Sequence, residues 1–232
     1  MRMPTRKMAS ARLSLLGHYH VACIMQAEET RPLEPVFSPV LQALDASATA
    51  TVNARMAMIG PQVQVAFAEA SLEQTLRGVS LRAQQLDNKA DGGPAKTAVF
   101  PDGLMPVLTP RGDAQIAAAQ AVRDRVTTQP AAAPLRAETL PLIDAGVEAL
   151  RVALAARAAA QQAFAAAFAA ELGAREAFLS AYSSDAGAIR QLFPRDRARQ
   201  ELFFDSPVNT RRTPEELEED DGDDEDEDDP TS

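Results

Sequence analysis

The sequence predicts an all-α protein: an antiparallel helical bundle of about four main helices, read either as one bundle or as two tandem αα-hairpin copies, with a disordered acidic C-terminal tail. Three observations lead there. Alanine makes up about a fifth of the 232 residues, Trp is absent and Tyr occurs twice, a composition that suits close helix packing better than a sheet. Apolar residues recur at three- and four-residue spacing along most of the chain, the period of one helix face. Charge is segregated. Thr213 to Ser232 hold 13 acids and no base, so residues 1–212 keep 20 acids (33 − 13) against 23 bases, +3 within a total of −10.

Residues 1–8 form a flexible basic lead, residues 9–205 the bundle and residues 206–232 the tail. Leu13, Leu16, His20, Cys23, Ile24 and Ala27 define the first helix, which stops before Arg31-Pro32 because proline pushes its predecessor out of the α region. Ser38-Pro39 reads as an N-cap and first-turn proline. Leu41, Leu44, Ala48, Val52, Met56 and Ile59 then mark one inward face. Gly60-Pro61 must kink or divide this helix. Val65, Ala68, Leu72, Leu76, Val79, Ala83 and Leu86 carry the stripe to a polar loop around Gly92-Gly93-Pro94.

Asp113 is the expected N-cap of a helix with Ile116, Ala119, Val122 and Val126 inward. Pro130 to Pro134 forms a linker, and Thr139 with Pro141 opens the longest pattern, through Ile143, Val147, Leu150, Leu154, Phe164, Phe168, Leu172, Leu179 and Tyr182. Roughly forty residues at 1.5 Å each make a helix of about 60 Å. Arg157 and Gln161 fall on the seam a heptad would need, which favours a bundle helix over a coiled coil. The two halves, 9–103 and 111–196, share an order of landmarks: Leu44-Asp45-Ala46 with Ile143-Asp144-Ala145 lie 99 apart, and Phe100-Pro101 with Phe193-Pro194 lie 93 apart. Alanine, arginine and proline are abundant and Lys occurs three times, the signature of a GC-rich genome.

Most chemistries lack their residues. The Glu-x-x-His pairs of a di-metal bundle site do not occur. His18, His20 and Cys23 suggest a cofactor or metal site, but only His20 and Cys23 share a helix face, too few ligands to close a four-coordinate centre. Gly92 to Thr97 has the ring of a phosphate loop, yet Ala90 and Ala95 stand where its glycines belong and Pro94 removes a donor. No Gly-x-Ser-x-Gly elbow is present, and two histidines and one cysteine are a thin supply of bases and nucleophiles. The chain is therefore read as a non-enzyme without a cofactor. Leu13 to Ala27 is interrupted by two histidines and too short for ~30 Å of hydrocarbon. Arg2, Arg6, Lys7 and Arg12 before Leu13–Leu16 and Val21-Ala22-Cys23 faintly suggest an export signal, but the apolar run is short for one. A lone Cys23 needs no oxidising compartment, and the expectation is a cytoplasmic protein off the membrane.

The best binding signal is the cluster Arg190, Arg195, Arg197, Arg199, Arg211 and Arg212 with Phe193, Phe203 and Phe204 among them. These residues form either a partner-binding patch for planar anions, nucleic acid included, or a solvated terminal helix whose aromatics dock on the bundle, the reading we prefer over a nucleic-acid site. The tail cannot bury enough surface to order itself. It serves to keep the bundle from associating, to screen the arginines, or to attract a basic partner. Together these features predict an interaction module that presents helical faces to a protein partner or to itself.

Overall fold

A computed structural model describes residues 3–89 and 94–204, and these are helical, with no strand among the described residues. In order they form α1 (Ser10–Gln26), a 3-10 turn (Arg31–Leu33), α2 (Glu34–Ala57), α3 (Ile59–Lys89), α4 (Ala95–Val99), α5 (Met105–Leu108), α6 (Asp113–Thr128), a second 3-10 stretch (Pro130–Leu135), α7 (Arg136–Leu192) and α8 (Arg197–Leu202). No helix among them is long and apolar enough to cross a membrane. Gly92, Gly93, Arg211, Arg212 and the acidic tail lie outside the described residues.

Several helix ends differ from expectation, each for a local reason. α2 starts at Glu34 instead of at Ser38-Pro39, because the 3-10 turn runs directly into helical geometry at Glu34 (φ −56°, ψ −51°). Pro39 then sits inside the helix and forfeits one ladder bond, while the Ser38 hydroxyl donates back to Glu34 Oε1 at 2.6 Å. α7 repeats this arrangement: it begins at Arg136, Pro141 is internal and the Thr139 hydroxyl donates to the Leu135 carbonyl at 2.8 Å. It runs for 57 residues where roughly forty were expected. Asp113 is the first helical residue of α6 and not its cap; Gly112 precedes it at φ 60°, a conformation that favours glycine. Gly60-Pro61 does divide the helix, at Met58 between α2 and α3. Residues 3–8, expected to be flexible, are tied down: the Arg175 guanidinium donates to the Arg6 and Met8 carbonyls at 2.6 Å each.

The described residues divide into two compact units, one of the residues up to Thr49 together with those from Ala170 to Phe204, the other of those from Ala50 to Ala169. Unit one packs α1, α2 as far as Thr49, α7 from Ala170, and α8 around Leu13, Ile24, Phe37, Leu41, Leu44, Phe178, Tyr182, Ile189, Phe203 and Phe204. Gly17 lies where α1 crosses its neighbours; a Cβ there would stand 2.5 Å from Leu41 and 2.8 Å from Phe178. Unit two packs α3, α4, α5, α6 and the first part of α7 around Leu72, Leu76, Val79, Phe100, Val122, Ile143 and Leu150. Within it α3 runs antiparallel to α7, with Arg82 paired to Glu138 at 2.6 Å and Leu72 over Gly146; from the end of α2 the Thr51 hydroxyl donates to the Ala167 carbonyl at 3.2 Å.

The two units have equivalent internal designs. Buried positions of α1 and α6 correspond as Leu13/Gln115, Gly17/Ala119, His20/Val122 and Ile24/Val126, each pair 102 apart (115 − 13, for example). The same interval relates Pro32-Leu33 to Pro134-Leu135, Pro39 to Pro141, Leu41 to Ile143, and the starts of α4 and α8 at Ala95 and Arg197. It also relates buried Leu76, Ser80 and Ala83 to Phe178, Tyr182 and Asp185. The helical landmarks chosen from sequence, 99 apart, were three residues out of register, nearly one turn, which leaves an alanine-rich apolar pattern almost unchanged. Phe100 follows α4 whereas Phe193 closes α7, so those two are not equivalent.

Candidate functional site

His20 sits at the centre of unit one, fully buried. Its ring lies 4.9 Å from Phe37, 4.8 Å from Tyr182 and 5.1 Å from Phe204. α1 places it there because Leu13, Gly17, His20 and Ile24 recur at four-, three- and four-residue spacing. Both ring nitrogens are engaged. Nδ1 lies 2.9 Å from the Phe203 carbonyl and Nε2 lies 3.3 Å from Asp185 Oδ2. A carbonyl only accepts, so this contact is a hydrogen bond in the form that has its proton on Nδ1. Asp185 is also buried, on the α7 face marked by Phe178, Tyr182 and Ile189.

Two further α1 side chains reach the neighbouring carbonyl. The Tyr19 hydroxyl donates to Leu202 O at 3.0 Å and the Cys23 thiol to the same atom at 3.3 Å. Burial pushes the Cys23 thiol up, against a smaller downward effect of its hydrogen bond with Tyr19. Burial also pushes the Tyr182 phenol up, with Cys23 and Tyr19 adding to it. Both groups are therefore neutral near pH 7.

The three residues of the cofactor reading separate as helical geometry requires. His18 faces outward and meets Asp45 Oδ2 at 3.0 Å, while His20 and Cys23 face the end of α8. Both His20 nitrogens are engaged by groups of the chain, and the Cys23 thiol is held protonated in a hydrogen bond, whereas a metal takes a free imidazole nitrogen and a thiolate. No group of three His, Cys, Asp or Glu suited to a metal occurs among the described residues.

The arginine cluster is also dispersed. Arg197 pairs with Glu201 at 2.9 Å and Arg199 with Glu29 at 3.4 Å. The Arg199 guanidinium also covers the Phe193 ring at 4.0 Å. Arg190 and Arg195 are exposed on α7 and before α8, whereas Phe203 and Phe204 are buried in the core. Phe203 and Phe204 thus dock on the helices away from the arginines, while Phe193 lies under Arg199.

At the loop once compared with a phosphate site, Asp87 accepts from the Ala95 and Lys96 amides at 2.8 and 3.0 Å. A carboxylate of the chain itself fills the anion position. Unit two also has a groove of about 550 Å³ lined by Gln120, Arg123, Asp124, Asp144, Glu148 and Arg151. There Arg123 is paired with Asp144 and Arg151 with Glu148, both at 2.5 Å.

Among the exposed apolar residues, one group lies where α2 meets α3. Val52, Met56, Ile59, Val63 and Phe67 are 60%, 64%, 54%, 48% and 74% exposed, although Val52, Met56 and Ile59 were expected to face inward. They form a stripe on α2–α3 turned away from α7. Val63 and buried Val65, for instance, differ by about 200° around the helix. Comparisons with models of known protein families, with curated proteins and with solved structures found no match.

Proposed function

We propose that this chain is a non-enzymatic structural or interaction module that presents a helical face to a protein partner or to a second copy. The observation that carries this reading is the stripe Val52, Met56, Ile59, Val63 and Phe67. Its four- and three-residue spacing is that of a helix docking on a helix. Arg55 is the one charge from residue 50 to residue 68, so the contact relies on apolar burial, as the centres of protein interfaces do. Exposed apolar rows of this length mark interaction surfaces. The engaged nitrogens of His20 and the paired Arg197 and Arg199 favour this over cofactor or nucleic-acid binding. A cytoplasmic site of action and a charge-tuning role for the acidic tail belong to the same reading.

Light scattering after gel filtration, on the full chain at rising concentration, tests it. Self-association, or co-elution with a partner recovered from the source cell, is expected, and Met56→Glu with Phe67→Glu should abolish it. Association unchanged in that double variant would refute the assignment.

A further inference from the structure

Unit two shows that this design folds without an ionisable pair at its centre. Where unit one has His20 and Asp185, unit two has buried Val122 and Ala83; where unit one has Phe37 and Tyr182, unit two has Thr139 and Ser80. The C-terminal end of the short helix is held in both units, by different chemistry. In unit two Arg125, the counterpart of Cys23, donates to the Val99 carbonyl at 3.3 Å. Arginine keeps its proton at any ordinary pH. In unit one the corresponding segment, Leu202–Phe204, is held at consecutive carbonyls by Tyr19, Cys23 and His20.

Proton counting at His20 gives this difference a consequence. Its two partners, the Phe203 carbonyl and the Asp185 carboxylate, are both acceptors, while a neutral imidazole has one N–H. Both contacts are hydrogen bonds only when the pair holds an additional proton, as imidazolium with carboxylate or as imidazole with carboxylic acid. When that proton leaves, the remaining N–H goes to the charged acceptor, Asp185, because charge-assisted bonds are the stronger ones. Nδ1 then turns a lone pair toward the Phe203 carbonyl 2.9 Å away, and the contact changes from attraction to repulsion.

We propose that His20 and Asp185 form a proton-operated latch on the C-terminal segment Arg197–Phe204. With the proton bound, the segment is docked and Phe204 closes the aromatic centre. With the proton lost, it is released at the point where the chain continues toward the acidic tail. The other titratable groups at the docked segment are Tyr19 and Cys23 from α1, at the Leu202 carbonyl, and Tyr182 from α7, against the His20 ring; α2 contributes Phe37, and the segment itself contributes the Leu202 and Phe203 carbonyls and the Phe204 ring. The ion pairs Arg199–Glu29 and Arg197–Glu201 flank the segment.

Hydrogen exchange on the full chain, corrected for the intrinsic effect of pH, tests the latch from about pH 5.5 to about pH 9. The expected result is a fall in protection of residues 200–204 by about tenfold or more, with residues 95–100 of unit two unchanged as reference. Asp185→Asn separates a latch from a merely structural contact. Its amide can donate to Nε2, leaving neutral His20 with its proton on Nδ1 facing Phe203, so protection should persist at the alkaline end. Should that variant not fold, His20→Val with Asp185→Ala, which copies unit two, should show protection that does not vary with pH. Protection insensitive to pH in the parent chain would overturn the latch, as would a parent-like fall in either variant.

Discussion

Removing one member of a buried hydrogen-bonded pair is costly because the other is left without its partner. Asp185→Ala strands His20 among Phe37, Tyr182 and Phe204, and should cost about 3–5 kcal/mol in urea denaturation. Adding His20→Val to that variant removes the stranded group and should recover most of the loss, since Val122 and Ala83 fill the equivalent places in unit two. Losses that simply add would contradict this coupling. Cys23 gives a second residue-level expectation. Its raised pKa favours the neutral thiol in the folded state, and the thiolate is the reactive form. Alkylation near pH 7 should therefore be slower than for a free thiol, speed up as pH rises past the ordinary thiol range, and reach the free-thiol rate on unfolding. Free-thiol reactivity in the native chain would show that Cys23 is not covered.

Between helices, the same substitution should have opposite effects at two glycines. Gly17→Ala gains helix propensity but drives a methyl toward the Phe178 ring and Leu41; the rigid ring cannot yield cheaply, and a loss of about 1–3 kcal/mol is expected. Gly173→Ala meets nothing within 4 Å on α7, so it should gain about 0.5–1 kcal/mol. Midpoints of thermal or urea unfolding check both signs. Element type was legible in the sequence for α1, α2, α3, α6 and α7, where period and alanine content agree, whereas the short α4 and α5 between the polar loop and Asp113 carry too few residues to show a period. The buried sets of α1 and α6 were legible too: Leu13, His20 and Ile24, and Ile116, Ala119, Val122 and Val126 all face inward as spaced. Helix starts were less so, since Pro39 and Pro141 look like first-turn residues while upstream 3-10 turns had already nucleated each helix. Asp185 is the site residue that the sequence reading missed. Its spacing from Phe178, Tyr182 and Ile189 is the signal that placed it inside, and its partner on α1 is 165 positions away, beyond any local pattern. Val52, Met56 and Ile59 carry the same apolar period as Leu41 and Leu44, and periodicity alone cannot tell a face covered by the chain from one left open.

For the whole molecule, the imbalance of charge decides how association should respond to salt. The full chain carries −10, and a chain ending at Arg212 carries +3. If two copies meet through the uncharged stripe, their net charges only oppose the encounter, and the repulsion scales with the product of those charges. That product is 100 (10 × 10) for the full chain and 9 (3 × 3) for the shortened one. Raising salt from about 0.05 M to about 0.5 M shortens the screening length from roughly 14 Å to roughly 4 Å. Self-association of the full chain should therefore tighten with salt, whereas that of the shortened chain should change by about a tenth as much in free energy. A basic partner recruited by the tail gives the reverse sign, because screening then removes an attraction. Sedimentation equilibrium of both chains across the salt series distinguishes the two. Tightening confined to the full chain supports apolar self-pairing restrained by the tail. Equal slopes in both chains would mean that the acidic segment has no part in setting how strongly copies meet.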